Sequence, residues 1–467
     1  MCIDSSMRSA PNGPRHTETP NVLQIHALPI DPAPGRAEAT WKSALMAFAR
    51  RGLVAVTLWL SIYTSLAAQG STTDSESIEL GSRPFYLLEQ MAPGPLKDEL
   101  SRCAAATRHY ERTDFSIGHR GAPMRFPEHT RESYVAAATM GAGIVECDVT
   151  FTKDRELVCR HDQCDLHATT NIVATELAGK CSQAPQFDAQ GNLSNAQAIR
   201  CCTSDLTVKE FKSLEGKMDR VNLAATTIQA YLGDEAPRGT LLTHAESIDL
   251  LSRLGVGMTP ELKIPRVSMP FEGNYAQRHF AQQMIDEYVA AEVDPRRVWP
   301  QSFSYEDVLY WVEHTPAFGH QAVFLENRDT TDVNDPVEVA ALVPSMQQLA
   351  RDGVRYLAPP MQMMLAVDPS GRIVPSAYAK AARSNGLQLI GWTTERSGRL
   401  ETGGGGYYYS TVKDVINNDG DILRVIDVLA QDVGIVGLFS DWPATTTFYA
   451  NCRPVPGEFL IQGAIGN

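Results

Sequence analysis

The alternation of short, β-rich apolar runs with longer stretches of helical spacing is the feature that most narrows the folds open to this chain. After residue 110 the runs are FSIGH (115–119), GIVECDVTFT (143–152), LVCRH (157–161), GMTPELKI (257–264), RVWPQSF (297–303), AVFLEN (322–327), RYLAPP (355–360), LQLIGWT (387–393) and GIVGLFSD (434–441). Between them lie segments such as YAQRHFAQQMIDEYVAAE (275–292), where Phe280, Met284, Ile285 and Tyr288 recur at the spacing of one helical face. Strands that alternate with helices pair in parallel, because each helix is the crossover that returns the chain to the same edge. About eight such units predict a closed (β/α)8, TIM-barrel-like α/β fold, and the surplus length predicts insertions.

The largest insertion is expected at about 163–255. A segment of that length normally carries its own structure or covers a site, and this one reads as a lid-like subdomain. It holds Cys164, Cys181, Cys201 and Cys202, with Cys103 and Cys159 just before it, and none of the nine cysteines forms a CxxC pair. In an exported protein that clustering favours disulfides over zinc, which wants closer pairs with histidine. The pairing stays open at this level. A second low-complexity piece, ERSGRLETGGGGYYYS (395–410), reads as a flexible loop after the seventh barrel strand.

Export is expected from MAFARRGLVAVTLWLSIYTSLAAQG (46–70). Arg50 and Arg51 precede an apolar run that ends in Ser65-Leu66-Ala67-Ala68, the three-part layout of a secretory signal peptide. The chain then divides into an unstructured extension (1–45), a signal peptide (46–69), a lead-in (70–112), a barrel (113–449) and a tail (450–467). The expected location is periplasmic or extracellular, and an uncleaved leader would be the sole membrane contact. With 55 acidic against 41 basic residues and a formal charge of -14, the chain is no general nucleic-acid binder, which needs clustered positive charge. If it meets an anionic phosphate, the positive charge must be local, from a metal or a few side chains.

Strand geometry brings candidates for that role together. Residues two apart share a face of a strand, so Glu146 and Asp148 project together while Val145, Cys147 and Val149 turn toward the helices. In TPELKI, Glu261 and Lys263 share a face in the same way. Buried carboxylates must be compensated by basic partners or a hard cation, and three of them with water suit Ca2+ or Mg2+ better than Zn2+. His119 and His161 each end an expected strand, where barrel enzymes keep their catalytic groups. Two imidazoles can divide proton uptake and proton delivery, and Arg120 adds a fork suited to phosphate oxygens.

The motifs GHRGAPMRFPEHT, VECDVTFTKDRELVCRHD, TPELK, QSF, GWTTE and GLFSDWPA resemble, in order, the signature strands of the glycerophosphodiester phosphodiesterase family over roughly residues 113–449. The resemblance implies His119 and His161 as the acid–base pair, Glu146, Asp148 and Glu261 as ligands of a divalent cation (Ca2+ ahead of Mg2+), and Arg120 and Lys263 as holders of the phosphoryl oxygens. Glu128 and Trp392 match positions that line the family's site. The implied reaction converts a small glycerophosphodiester to glycerol 3-phosphate and an alcohol; headgroup, oligomeric state and the division of labour between the histidines stay open. His129 stands where the family usually has Asn, and Arg155 where it often has Gly. Two rival readings remain: a sphingomyelinase D-like or phosphatidylinositol-specific phospholipase C-like enzyme, and a non-catalytic phosphate-ligand binder. Glu261-x-Lys263 and the presence of both histidines argue against them respectively.

Overall fold

The computed structural model describes residues 77–233, 237–402 and 405–457. The expected leader, the extension before it and the end of the tail lie outside them. Eight strands close into a parallel barrel: β1 (Thr113–Gly118), β2 (Ala142–Phe151), β4 (Gly257–Leu262), β5 (Gln301–Ser302), β6 (Val323–Leu325), β7 (Tyr356–Ala358), β8 (Gln388–Gly391) and β9 (Gly437–Ser440), with β9 pairing back onto β1. Each of the nine runs contains a strand. The run at 157–161 differs in direction: its strand β3 (Leu157–Cys159) is antiparallel to β2 and stands outside the closed cycle. RVWPQSF contributes Gln301 and Ser302 to the ladder and an isolated parallel bridge from Val298 to Met258; Pro300 between them has no N–H to donate.

The period-two pattern sorts side chains as expected. Ile117, Ile144, Val323, Leu325, Ile390 and Phe439 fill the barrel interior with Trp299, whereas Val145, Cys147, Val149, Met258, Leu262 and Leu438 pack outward under the helices. Glu146 and Asp148 therefore follow Ile144 along the inner face. The parallel register then sets Asp148 beside Glu261 and Glu261 beside Gln301. The helix Gln277–Ala290 buries Phe280, Met284, Ile285 and Tyr288, and His244–Arg253 starts on a Thr243/Glu246 capping box.

Between β3 and that second helix, Leu166, Ile172, Cys201, Phe211, Tyr231 and Leu241 make a separate apolar cluster that includes Val158 of β3. Leu242 is already part of the main core. Cys164–Cys202 and Cys181–Cys201 staple this segment. Cys147–Cys159 ties β2 to β3, and Cys103–Cys452 ties the lead-in helix Pro95–Ala106 to the last helix, Ala444–Cys452.

Cys103–Cys452 spans 349 residues of chain, so in the chain-entropy view it strongly restricts the unfolded state. The expected effect of the Cys103→Ser/Cys452→Ser double substitution is a loss of about 2–5 kcal/mol in denaturant unfolding under non-reducing conditions. Turnover should persist, because the bridge joins helix ends at the barrel floor.

Candidate active site

At the carboxyl end of the barrel, one oxygen from each of Glu146, Asp148 and Glu261 lies within 4.8 Å of the others, and all three residues are buried. Their surroundings are unequal. Glu146 accepts from the Arg120 backbone N–H (2.9 Å) and from Gln301 Nε2 (2.8 Å). Glu261 accepts from Lys263 Nζ at 2.5 Å. Asp148 Oδ2 accepts from His129 Nε2 at 2.9 Å, while its Oδ1 is buried with no hydrogen-bond partner.

The electrostatics follow from burial and crowding. Burial, then the charges of Asp148 and Glu261, push the Glu146 carboxyl well above its ordinary range. Burial likewise raises Glu261 to about 7, with Lys263 opposing and Asp148 adding to the shift. Burial would also raise Asp148, but Lys263 and His129 outweigh it and hold this carboxyl well below its usual value. Three converging carboxylates, one with an orphaned oxygen, form a donor set that fits a hard divalent cation. A second group, Glu128, His161 and Asp165, is equally tight. In that group the Arg120 guanidinium donates to Glu128 Oε2 at 2.7 Å.

His119 follows β1 and lies 8% exposed. Its Nδ1–H donates to Asp441 Oδ1 at 2.5 Å, which leaves Nε2 without a proton and 3.9 Å from Glu146 Oε2. Burial depresses the imidazole to about 4, against the opposing pull of Asp441. Burial would raise Asp441, yet Arg396 and His119 keep it ionised. His161 arrives by another route: β2 climbs past the barrel rim and β3 brings the chain back down, with Arg160 N donating to Asp148 O at 2.7 Å. Burial and the charges of Arg120 and Lys263 keep its ring neutral.

The GHRG and PEHT turns are strained where they serve the site. Arg120 has φ 56° and His129 φ 54°, a region that costs an ordinary side chain about 1–2 kcal/mol. The GHRG turn presents the Arg120 N–H to Glu146 and its carbonyl to the His129 N–H (3.1 Å) and Ser133 Oγ (3.0 Å). A Cβ at Gly121 would stand 2.3 Å from Ser133 Oγ, so glycine is required there. At the position where the family usually has Asn, His129 takes a left-handed conformation and, accepting from Tyr134 OH at 3.0 Å, carries its proton on Nε2 toward Asp148. Arg155 likewise takes a positive φ of 67°, and its guanidinium is held by Asn274 at 2.8 Å.

Of the nine residues singled out from sequence, the eight charged or imidazole groups converge. Glu128 is turned to Arg120 and is 3% exposed. The indole N–H of Trp392 donates to Ala358 O at 2.9 Å, and its ring meets Phe303 and Tyr408 edge-on. Sequence reasoning missed His129, Asp441 and Arg396 as parts of the site. Asp441 lies within a quoted motif, GLFSDWPA, at the end of a strand adjacent to that of His119, and that adjacency was the available signal.

Comparison with known proteins gives the context for this geometry. The model of the glycerophosphoryl diester phosphodiesterase family matches residues 119–445. An "Extracellular protein" of Arthroderma benhamiae is 44% identical over 247 residues, covering 50% of this chain and 99% of the relative. A glycerophosphodiester phosphodiesterase of Arabidopsis thaliana is 24% identical over 397 residues, covering 81% of this chain and 94% of the relative. Among solved structures, an Oleispira antarctica phosphodiesterase in complex with the product sn-glycerol-3-phosphate is 16% identical, with a TM-score of 0.42, over 72% of this chain and 96% of that one. The family match takes in well over half of the chain, both histidines and all three clustered carboxylates, and the protein belongs to the glycerophosphoryl diester phosphodiesterase family of phosphodiester hydrolases.

Proposed function

We propose that this enzyme is exported and acts on small glycerophosphodiesters in a metal-dependent reaction, releasing glycerol 3-phosphate and an alcohol, with His119 and His161 as its acid–base pair. The observation that carries the reading is the orphaned Asp148 Oδ1 within a ring of three buried carboxylates, next to a histidine committed to Asp441 through Nδ1. Glu146, Asp148 and Glu261 would hold the cation, Ca2+ or Mg2+. When bound, it supplies positive charge for the non-bridging oxygens, most strongly as negative charge grows in the transition state.

The chain's own groups do the rest. Arg120 and Lys263 add fixed positive charge against the phosphoryl oxygens. His119 offers the lone pair of Nε2 and takes a proton from water or from the neighbouring glycerol hydroxyl, and Asp441 stabilises the imidazolium that results. His161 delivers a proton to the departing alkoxide from its imidazolium form, which the negative charge of a bound phosphodiester favours over the neutral ring of the free enzyme. Trp392, with Phe303 and Tyr408, gives an aromatic wall to the mouth. Four disulfides among the described residues and the likeness to an extracellular protein support export. Among the described residues no helix is long and apolar enough to cross a membrane.

Two outcomes are expected. With glycerophosphocholine and Ca2+ or Mg2+, glycerol 3-phosphate should appear, stop with EDTA, and fall by about 10²–10⁴-fold in His119→Ala and in His161→Ala; undiminished turnover in either variant would remove that histidine from the mechanism. In thermal melts, the same cations should stabilise the protein by about 2.7 kcal/mol at a hundredfold excess over Kd. Glu146→Gln should lose that gain, because it removes a carboxylate from the donor set; a retained metal response would place the cation elsewhere.

A further inference from the structure

Arg396 lies beyond β8, in the run Trp392-Thr393-Thr394-Glu395-Arg396, and the glycerophosphodiester reading gives it no task. Its Nε donates to Asp441 Oδ2 at 3.0 Å. Its terminal nitrogens stand 4.0 Å from Glu128 Oε2 and 3.9 Å from Asp219 Oδ2, distances of ion pairing rather than hydrogen bonding. Asp219 belongs to the segment inserted between β3 and β4. Asp441 is 4% exposed at its side chain and uses its other oxygen, Oδ1, for His119.

A carboxylate so placed has two needs. Each oxygen requires a donor, since a buried acceptor left unmet costs about 1–3 kcal/mol. Its plane must also be fixed, because rotation about Cβ–Cγ would carry Oδ1 away from the imidazole. The Arg396 Nε–H meets both needs from the side opposite His119. The Arg396 side chain is itself 26% exposed, and a long side chain at that exposure loses considerable rotamer entropy when it is held in one place. Glu128 and Asp219 flank its head and restrict it.

We propose that Arg396 is a positioning residue for His119, acting through Asp441, and that Asp219 links the inserted segment to the same chain of contacts. The inserted segment thereby contributes to the rate as well as to coverage of the barrel. This rests on the assignment of His119 to acid–base chemistry, so the His119→Ala variant is measured alongside.

The experiment is steady-state kinetics of the full enzyme on glycerophosphocholine with Ca2+. Arg396→Ala should lower kcat by at least about tenfold, the usual value of an orienting partner, with KM changed by less than about twofold. Arg396→Lys, and Arg396→Ala with added guanidinium, should recover part of the loss. Asp219→Asn should lower kcat by a smaller factor, and that factor should vanish in the Arg396→Ala background, as expected for coupled residues. If Arg396→Ala keeps kcat, or raises KM while kcat holds, the positioning role is wrong, and in the second case Arg396 is a substrate contact. If His119→Ala keeps its activity, the assignment of His119 fails first. Should Arg396→Ala not fold, unchanged kcat in both Arg396→Lys and Asp219→Asn overturns the proposal.

Discussion

Three carboxylates forced side by side inside a barrel are the constraint on which the rest of the site depends. Parallel register makes Asp148 and Glu261 direct neighbours on one face, and Glu146 stands two residues before Asp148 on that same face. Like charges in that arrangement repel and lose hydration, costs of several kcal/mol without compensation. The surroundings are built to meet them. Lys263 serves Glu261, His129 serves Asp148, and Gln301 with the Arg120 backbone serves Glu146. Asp148 Oδ1 is buried with no donor.

Compensation on this scale draws the neighbouring backbone into the site. The turn after β1 accepts positive φ at Arg120 and at His129 so that a main-chain N–H and an imidazole both point at carboxylates. Strain of this kind persists only where surrounding contacts over-determine it, and here Tyr134, Ser133 and Glu128 supply them. The β2–β3 hairpin plays the matching part on the other side. Its disulfide, Cys147–Cys159, joins the strand of Glu146 and Asp148 to the strand that leads to His161.

Much of the architecture was legible because it rests on periodicity. Every β-rich run contains a strand, and the stripe of Phe280, Met284, Ile285 and Tyr288 is the buried face of its helix. Strand direction was less legible. LVCRH resembles its parallel counterparts in composition, yet the short link from β2 leaves room only for a hairpin, so β3 is antiparallel. Within the segment expected as an insertion (163–255), the separate apolar cluster ends near Leu241, and His244–Arg253 packs into the main core through Ile248 and Leu251. Contacts made across hundreds of residues left little local trace. Asp441 meets His119 across 322 positions.

The sequence by itself determined the order of strands and helices, the face on which Glu146, Asp148, Glu261 and Lys263 project, and the presence of cysteines in number and place for disulfides. Those properties follow from spacing of two and of three to four residues, which local stereochemistry enforces. Only the tertiary structure decided which cysteines pair, which oxygen of Asp148 is left without a donor, and that Asp441 and Arg396 stand behind His119. Barrel closure brings the last strand against the first, and that meeting of distant segments depends on the whole chain being folded.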